Sequence, residues 1–423
     1  MDVPSFATGA ALTATFQVTV TTGLTTFITN QATLTGAGIE PYDSNLVSHP
    51  VRGTGESRVA YLPLVLKGAT QTPPSSGCAP YSVATIGVGY KPRGIALDTS
   101  RERAYVANYG SDSLSVIDTG SNSVIKTITG IVTPNGVAYD TTHDLIWVSN
   151  YEADQVTPVD ASSLARLSPV AVGDGPWGVA YDPVHDHVYV ANSLADSVTV
   201  IEAGTRETTT LSGDFDQPFH VATNPVSGKT YVTNFGNHSL MVIAGASVID
   251  IVDLSGSPQP YGVAVDETRD LIYVATVSSH RVAVIGTDSG GTADQLLGWA
   301  AFYRGFGDPA RPVPLRVIAA NPDIGPPGDG GHLWLTTTTA DGSELDQVLL
   351  VPKGWDGYFS YPAAYNLDAN PSEGIAVDRA TDRAYVSSGT TPGIVSVLGD
   401  NADACLVPFG AANDEFGLEV VTR

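Results

Sequence analysis

The phrase PRGIALDTSRERAYVAN at Pro92–Asn108 returns as PNGVAYDTTHDLIWVSN at Pro134–Asn150, PWGVAYDPVHDHVYVAN at Pro176–Asn192, PFHVATNPVSGKTYVTN at Pro218–Asn234 and PYGVAVDETRDLIYVAT at Pro260–Thr276. The leading prolines stand at 92, 134, 176, 218 and 260, so each step is 42 residues, with no insertion or deletion between copies. Looser copies follow at Pro314–Thr337 and Pro371–Ser388, each with one extra residue near its start. A constant period of this length marks supersecondary units that bury their faces only against neighbours, stacked in a row or set around an axis.

Within the third copy, PWGVAYD and HVYVAN read as short apolar strands, SVTVIEA as a third and RETTTLSG as a more polar fourth. Four short strands in about 40 residues are what a β-propeller blade requires, with the first strand at the axis and the last at the rim. Glycines 94, 136, 178 and 262 suit close packing where strands crowd the axis. The series Asp98, Asp140, Asp182, Asn224, Asp266, Asn321 and Asp378 falls at the first hairpin turn, where such side chains satisfy their own backbone.

The array opens with SVATIGVG (Ser82–Gly89), worded like the fourth strand VIKTITG, and ends with GIVSVLGD (Gly393–Asp400), worded like a third strand. The expected fold is therefore all-β, a seven-bladed propeller over residues 81–410 whose last blade takes its outer strand from the start of the array. Closing the ring this way removes free sheet edges. Cys78 precedes that strand and Cys405 follows its partner, so a Cys78–Cys405 disulfide is expected across the seam. Such a long closed loop contributes about 4–5 kcal/mol in the chain-entropy model. Two unrelated buried thiols are the alternative.

The chain has 20 Lys and Arg against 44 Asp and Glu, a formal charge of −24. Nucleic acid and anionic lipid need a basic footprint and are poor partners for it. The two cysteines form no CxxC or CxxCH, which argues against a zinc knuckle, a redox pair or covalent haem. MDVPSFATGA lacks the basic and apolar regions of a signal peptide, and no run of about 18 apolar residues suggests a membrane span. Abundant Gly, Pro, Thr and Ser with few charges suit a β-rich extracellular protein.

Residues 1–45 contain ATFQVTV (Ala14–Val20) and TTFITNQATLTG (Thr25–Gly36), two alternating runs that read as a β-hairpin. ITNQATLT (Ile28–Thr35) resembles the closing strands of the Ig-like, DUF11-type repeats of bacterial surface proteins. The segment is then either the end of an Ig-like module in a longer chain or a pair of strands that completes a sheet in a second molecule. Residues 46–80 read as a linker holding the apolar strand VAYLPLVLKG (Val59–Gly68), and 411–423 as a tail.

PxGVAxDxxxxxxYVxN followed by SVxVID resembles the YVTN-type propeller repeat. YVTN itself stands at Tyr231–Asn234, YVAN at Tyr105–Asn108 and Tyr189–Asn192, and WVSN at Trp147–Asn150. The resemblance covers roughly residues 81–400 and implies a secreted, surface-layer or cell-wall protein of a prokaryote. It carries no shared catalytic signature.

Two connections of each blade should open on one face. The first contributes Arg93, Asn135, Trp177, Phe219 and Tyr261, with His220 replacing the repeated glycine. The second contributes Tyr109, Tyr151 and Phe235, then Asp112, Asp154, Asp196, His238 and His280, which also recur every 42 residues. An arc of carboxylates and imidazoles beside aromatics could take a cation, a sugar or a peptide side chain, although Asx residues in tight turns commonly do no more than satisfy amides. His185 and His187 lie in a turn with no third ligand at known spacing.

Two longer connections, one with Trp299, Phe302, Tyr303 and Phe306, the other with Trp355, Tyr358, Phe359, Tyr361 and Tyr365, could bind ligands or pack on themselves. GxSxG, GxxxxGK[ST] and HExxH are absent, and Glu373 is the lone glutamate at an axial position. The expectation is a non-enzymatic extracellular or cell-surface module that needs no cofactor and binds protein or carbohydrate, with self-assembly through the N-terminal strands as a further route. The alternative is a lactonase-like or streptogramin-lyase-like propeller enzyme with a divalent cation at the axial channel.

Overall fold

The computed structural model describes residues 13–21, 26–35, 42–43, 47–51, 80–256, 259–278, 281–287, 294–301, 315–321, 332–337, 347–352, 363–366, 374–389 and 393–399. They fall into two compact units, one within residues 1–75 and the other within 76–406. In the first, Thr13–Thr21 pairs antiparallel with Thr26–Thr35, Thr13 opposite Thr35, and Val47–Val51 and Tyr42–Asp43 pair with the second strand.

The second unit is a β-propeller. Six of its four-stranded sheets are each built from consecutive strands, starting with Pro92–Asp98, Arg103–Asn108, Ser113–Asp118 and Ser123–Thr129. The inner strands of the next five are Pro134–Asp140, Pro176–Asp182, Pro218–Thr223, Pro260–Asp266 and Leu315–Asn321. A further sheet is composite: Ile375–Asp378, Arg383–Ser388 and Ile394–Gly399 come from the C-terminal end, and Tyr81–Gly87 supplies the outer strand, Ile394 opposite Gly87.

The second and third strands of each sheet are near-continuous apolar runs because each is covered on both faces by neighbouring sheets. Tyr105, Leu114, Val116 and Ile128 of the first sheet thus pack with Ile146, Val148 and Val159 of the second. Ile86, Tyr385, Val395 and Val397 of the composite sheet pack with Ile95, Ala104, Val106 and Ile117 of the first. The core is a series of layers between sheets. Outer strands, covered on one face only, keep polar or exposed positions, as Ser123–Thr129 does.

Inner strands meet backbone to backbone. A Cβ on Gly94 would lie 2.5 Å from the carbonyl oxygen of Asn135, one on Gly136 2.5 Å from that of Trp177, and one on Gly178 2.5 Å from that of Phe219. Gly262 faces Arg316 and Gly374 faces Arg93 in the same way, which takes the contact around to the first sheet.

At the first hairpin turn Asp98, Asp140, Asp182, Asn224, Asp266 and Asp378 are buried and serve the backbone. Asp140 accepts from the amides of Thr142 and His143, both at 2.9 Å, and Asn224 from those of Val226 and Ser227. The asparagine closing YVxN latches the next turn: Asn108 and Asn192 donate to the hydroxyls of Ser115 and Thr199, each at 2.9 Å. Trp299 is 2 % exposed, in the strand Gln295–Ala301 and inside the core with Leu254 and Val274, so it belongs to packing and not to a binding loop.

Cys78, Cys405, Glu373 and the other aromatics of the two long connections lie outside the described residues, apart from Tyr365, which sits in the strand Ala363–Asn366. No described helix is long and apolar enough to cross a membrane.

Candidate functional site: the axial mouth

The inner strands of the first five sheets begin Pro-X-Gly or Pro-X-His, and their pairing slips by a bulge there, as between Pro134 and Val137 in the second sheet and between Pro176 and Val179 in the third. A bulge re-aims the side chains around it. Residue X therefore sits at one end of the axis: Arg93, Asn135, Trp177, Phe219 and Tyr261. Arg316 joins them, because its carbonyl faces Gly262 as that of Asn135 faces Gly94. Sequence reading passed over Arg316, since the extra residue in that copy hides its register.

These side chains and the aromatics of the second connection form one continuous belt. The Tyr109 and Tyr151 centroids are 6.4 Å apart. Tyr151 meets Trp177 edge-on at 5.4 Å, and Trp177 meets Phe219 edge-on at 5.1 Å. Phe219 touches Phe235 and Tyr261, both at 5.2 Å. A guanidinium stands at each end: Arg93 Cζ is 3.9 Å from the Tyr109 centroid and 4.8 Å from that of Trp177, and Arg316 Cζ is 5.7 Å from that of Tyr261. Edge-to-face rings and cations over ring faces are favourable arrangements of the aromatic quadrupole.

Asn135 and His220 each keep a buried polar atom at the mouth without a hydrogen-bond partner among the described residues. In Asn135, which is 3 % exposed, that atom is Nδ2, and in His220 it is Nδ1. The His220 ring lies 4.7 Å from that of Tyr261. Desolvation pushes its pKa down to about 4, so it is neutral at pH 7, although the residue retains some exposed surface. Burial also raises the Tyr109 phenol.

The acidic arc has a different role from the belt. Asp112, Asp154, Asp196 and His238 all adopt positive φ, 49°, 49°, 47° and 54°. Asp112 accepts from the amide of Thr133 at 2.8 Å, Asp154 from Gly175 at 3.1 Å, Asp196 from Gln217 at 2.8 Å, and His238 Nδ1 from Gln259 at 3.2 Å. Each thus clamps a turn of its own sheet to the connection that enters the next. Next to Asp154, Asp174 is shifted upward, by desolvation first and then by its neighbour's charge. His280 lies outside the described residues.

Among the described residues no group of three or more His, Cys, Asp or Glu is placed to hold a metal ion. On the opposite face His185 Nδ1 bonds Asp182 at 2.6 Å, and its ring stacks on His187 at 6.1 Å.

No protein-family model matches the chain. No curated protein matches it either. Solved structures do. The Myceliophteria thermophila Cps50 (Swd1) β-propeller domain aligns with a TM-score of 0.61 at 9% identity, over 76% of this chain and 99% of its own. Hydrazine synthase from Kuenenia stuttgartiensis aligns at 0.58 and 16% identity, over 74% and 96%. A streptogramin B lyase aligns at 0.56 and 13%, over 76% and 97%. At these identities the likeness concerns the fold, which hosts many chemistries.

Proposed function

We propose that this chain is a seven-bladed, YVTN-like propeller that works as a non-enzymatic binding module outside the cell or on the surface of a prokaryote, recognising protein or carbohydrate at its axial mouth. Counting the composite sheet as a blade supports the number seven, since it packs on the first sheet as the other sheets pack on one another. The belt running from Arg93 through Tyr109, Tyr151, Trp177, Phe219 and Tyr261 to Arg316 carries the binding reading. Tyrosine, tryptophan and arginine are the residues that most often dominate recognition energetics. The acidic composition and the YVTN and DUF11-type wording support the location. The two N-terminal strands offer a route to self-assembly.

A glycan and peptide library screen of the wild type and of Trp177→Ala, both with native circular dichroism, tests the site. Ligands found for the wild type should be lost by the variant. Hits that persist unchanged in Trp177→Ala place recognition elsewhere, and turnover of a lactone or of a streptogramin with an added divalent cation would refute the non-enzymatic reading.

A further inference from the structure

At the first hairpin turn, on the face opposite the mouth, basic side chains join neighbouring sheets. Arg101 of the first sheet donates to Asp98 Oδ2 of its own turn at 2.9 Å and, on the second sheet, to Tyr139 Oη at 3.1 Å and Asp144 Oδ2 at 2.7 Å. Its counterpart His143 lies 3.0 Å from Asp140 and 3.4 Å from Asp186 on the third sheet. His185 and Arg269 hold the same place beside Asp182 and Asp266, at 2.6 and 3.1 Å. The fourth sheet has an uncharged Ser227 there, and its inner residue is Asn224 instead of aspartate. In these five copies the buried carboxylate therefore goes with a basic side chain three residues on.

The composite sheet breaks that pairing. Thr381 stands in the place of Arg101, yet the inner residue is still a buried aspartate, Asp378. Asp378 accepts from the amide of Ala380 at 3.0 Å and from the hydroxyl of Thr381 at 2.7 Å. Glu102 on the adjoining first sheet takes the place of Asp144, and among the described residues neither carboxylate has an ion-pair partner. A buried carboxylate without a cation is costly. Where the short threonine leaves room there is a cavity of about 140 Å³, lined by Glu102, Asp378 and Thr381, with Leu97 in the place of Tyr139. The Tyr385 hydroxyl, buried in the same lining, makes no hydrogen bond of good geometry, although Thr119 and Arg383 stand close to it. Arg103 also belongs to the lining, but its Nη1 is committed to the Ala161 carbonyl at 2.8 Å, which leaves two carboxylates against Arg383.

We propose that this seam cavity binds a guanidinium group supplied from outside the repeat, held by Asp378 and Glu102 as Asp98 and Asp144 hold Arg101. A planar fork of N–H donors suits two carboxylates on neighbouring sheets, Leu97 offers an apolar contact to its face, and a chain of net charge −24 attracts cations. The chemistry fits a small guanidinium compound and the arginine side chain of a partner alike. The site is separate from the mouth and does not rest on its reading.

Calorimetric titration of the full chain at pH 7 with methylguanidinium and with a blocked Gly-Arg-Gly peptide, against methylurea and the citrulline peptide as neutral counterparts, tests the proposal and separates the two sources. At least one guanidinium should bind at least about tenfold more tightly than its counterpart. Glu102→Gln, and Asp378→Asn, which can keep the turn bond that Asn224 makes to the amide two residues on, should each lower that affinity about tenfold or more. Thr381→Arg, which supplies the group from within the chain, should abolish it. Trp177→Ala at the mouth should leave it unchanged, and native circular dichroism qualifies each variant. Equal affinity for charged and neutral counterparts, binding indifferent to Thr381→Arg and to both carboxylate substitutions, binding that Trp177→Ala removes, or no binding of either guanidinium overturns the proposal.

Discussion

Thr233 Oγ1 donates to the carbonyl oxygen of Tyr261 at 2.8 Å and accepts from the amide of His220 at 2.9 Å. One hydroxyl thus fixes the bulge of its own inner strand and holds the inner strand of the next sheet. Ser149 repeats the arrangement between Gly136 and Trp177, at 2.8 and 2.6 Å. Thr233→Val keeps the shape, leaves the His220 amide without this acceptor and takes one donor from the Tyr261 carbonyl, at a position with no exposed surface. It should cost about 1–3 kcal/mol, read as a lower urea midpoint with an unchanged slope. A midpoint within error of wild type would show that the hydroxyl is not part of the inter-sheet linkage.

Gly136→Ala tests the close approach of inner strands. The added Cβ would meet the Trp177 carbonyl oxygen at 2.5 Å, the Ser149 hydroxyl at 3.1 Å and the Val179 amide nitrogen at 3.1 Å, and backbone cannot rotate aside as a side chain can. Two sheets must separate at the axis, at about 1–3 kcal/mol or more. Gly87→Ala on the outer strand of the composite sheet, with nothing within 4 Å, should stay within about 0.5 kcal/mol. Equal effects would mean that the inner ring has slack.

His220 makes stability depend on pH in a defined window. Its folded pKa is near 4 through desolvation, against an ordinary 6.5. Above pH 6.5 it is neutral folded and unfolded, and contributes no pH dependence. Between 6.5 and 4 only the unfolded chain takes up the proton, so stability falls as the pH falls, by at most about 3 kcal/mol over the window. In urea titrations at pH 7 and 4.5, His220→Gly should show a shallower loss than the wild type, whatever its stability at pH 7. Identical losses would mean that His220 is protonated in the native state well above pH 4.

Much of the propeller is legible in the sequence because five copies run without insertion, so hairpin turns, buried strand pairs and latching asparagines fall at equal steps. The composite sheet is legible from the wording of Ser82–Gly89. What escapes is relational. Arg93 contacts the rings of Tyr109 and Trp177 because Asn135 between them is short, a fact about neighbouring sheets that no single copy displays. Asp112, Asp154 and Asp196 look like a ligand arc when aligned, whereas their positive φ and bonds to amides 21 residues on make them clamps. The inter-sheet hydroxyls do leave a trace: the third position of YVxN reads Ala107, Ser149, Ala191, Thr233 and Ala275, alternating from copy to copy.

Lys229 and Asp294 could not be paired from the repeat, because Asp294 follows the first long insertion. Lys229 Nζ bonds Asp294 Oδ1 at 2.8 Å, linking the fourth sheet to the residue just before the outer strand of the fifth. The aspartate side chain has no exposed surface and the lysine keeps 17%. Lys229→Met preserves the stem of the lysine but leaves a buried carboxylate without its cation, a loss that typically costs about 3–5 kcal/mol. Replacing both charges, as Lys229→Met with Asp294→Leu, removes the desolvated anion together with its partner and should recover much of that loss. Urea unfolding of both single variants and the double closes the cycle, and the coupling should exceed about 1 kcal/mol in favour of the pair. Additive effects would show that the two charges are solvated independently in solution, and that the insertion is not tied to the fourth sheet through this contact.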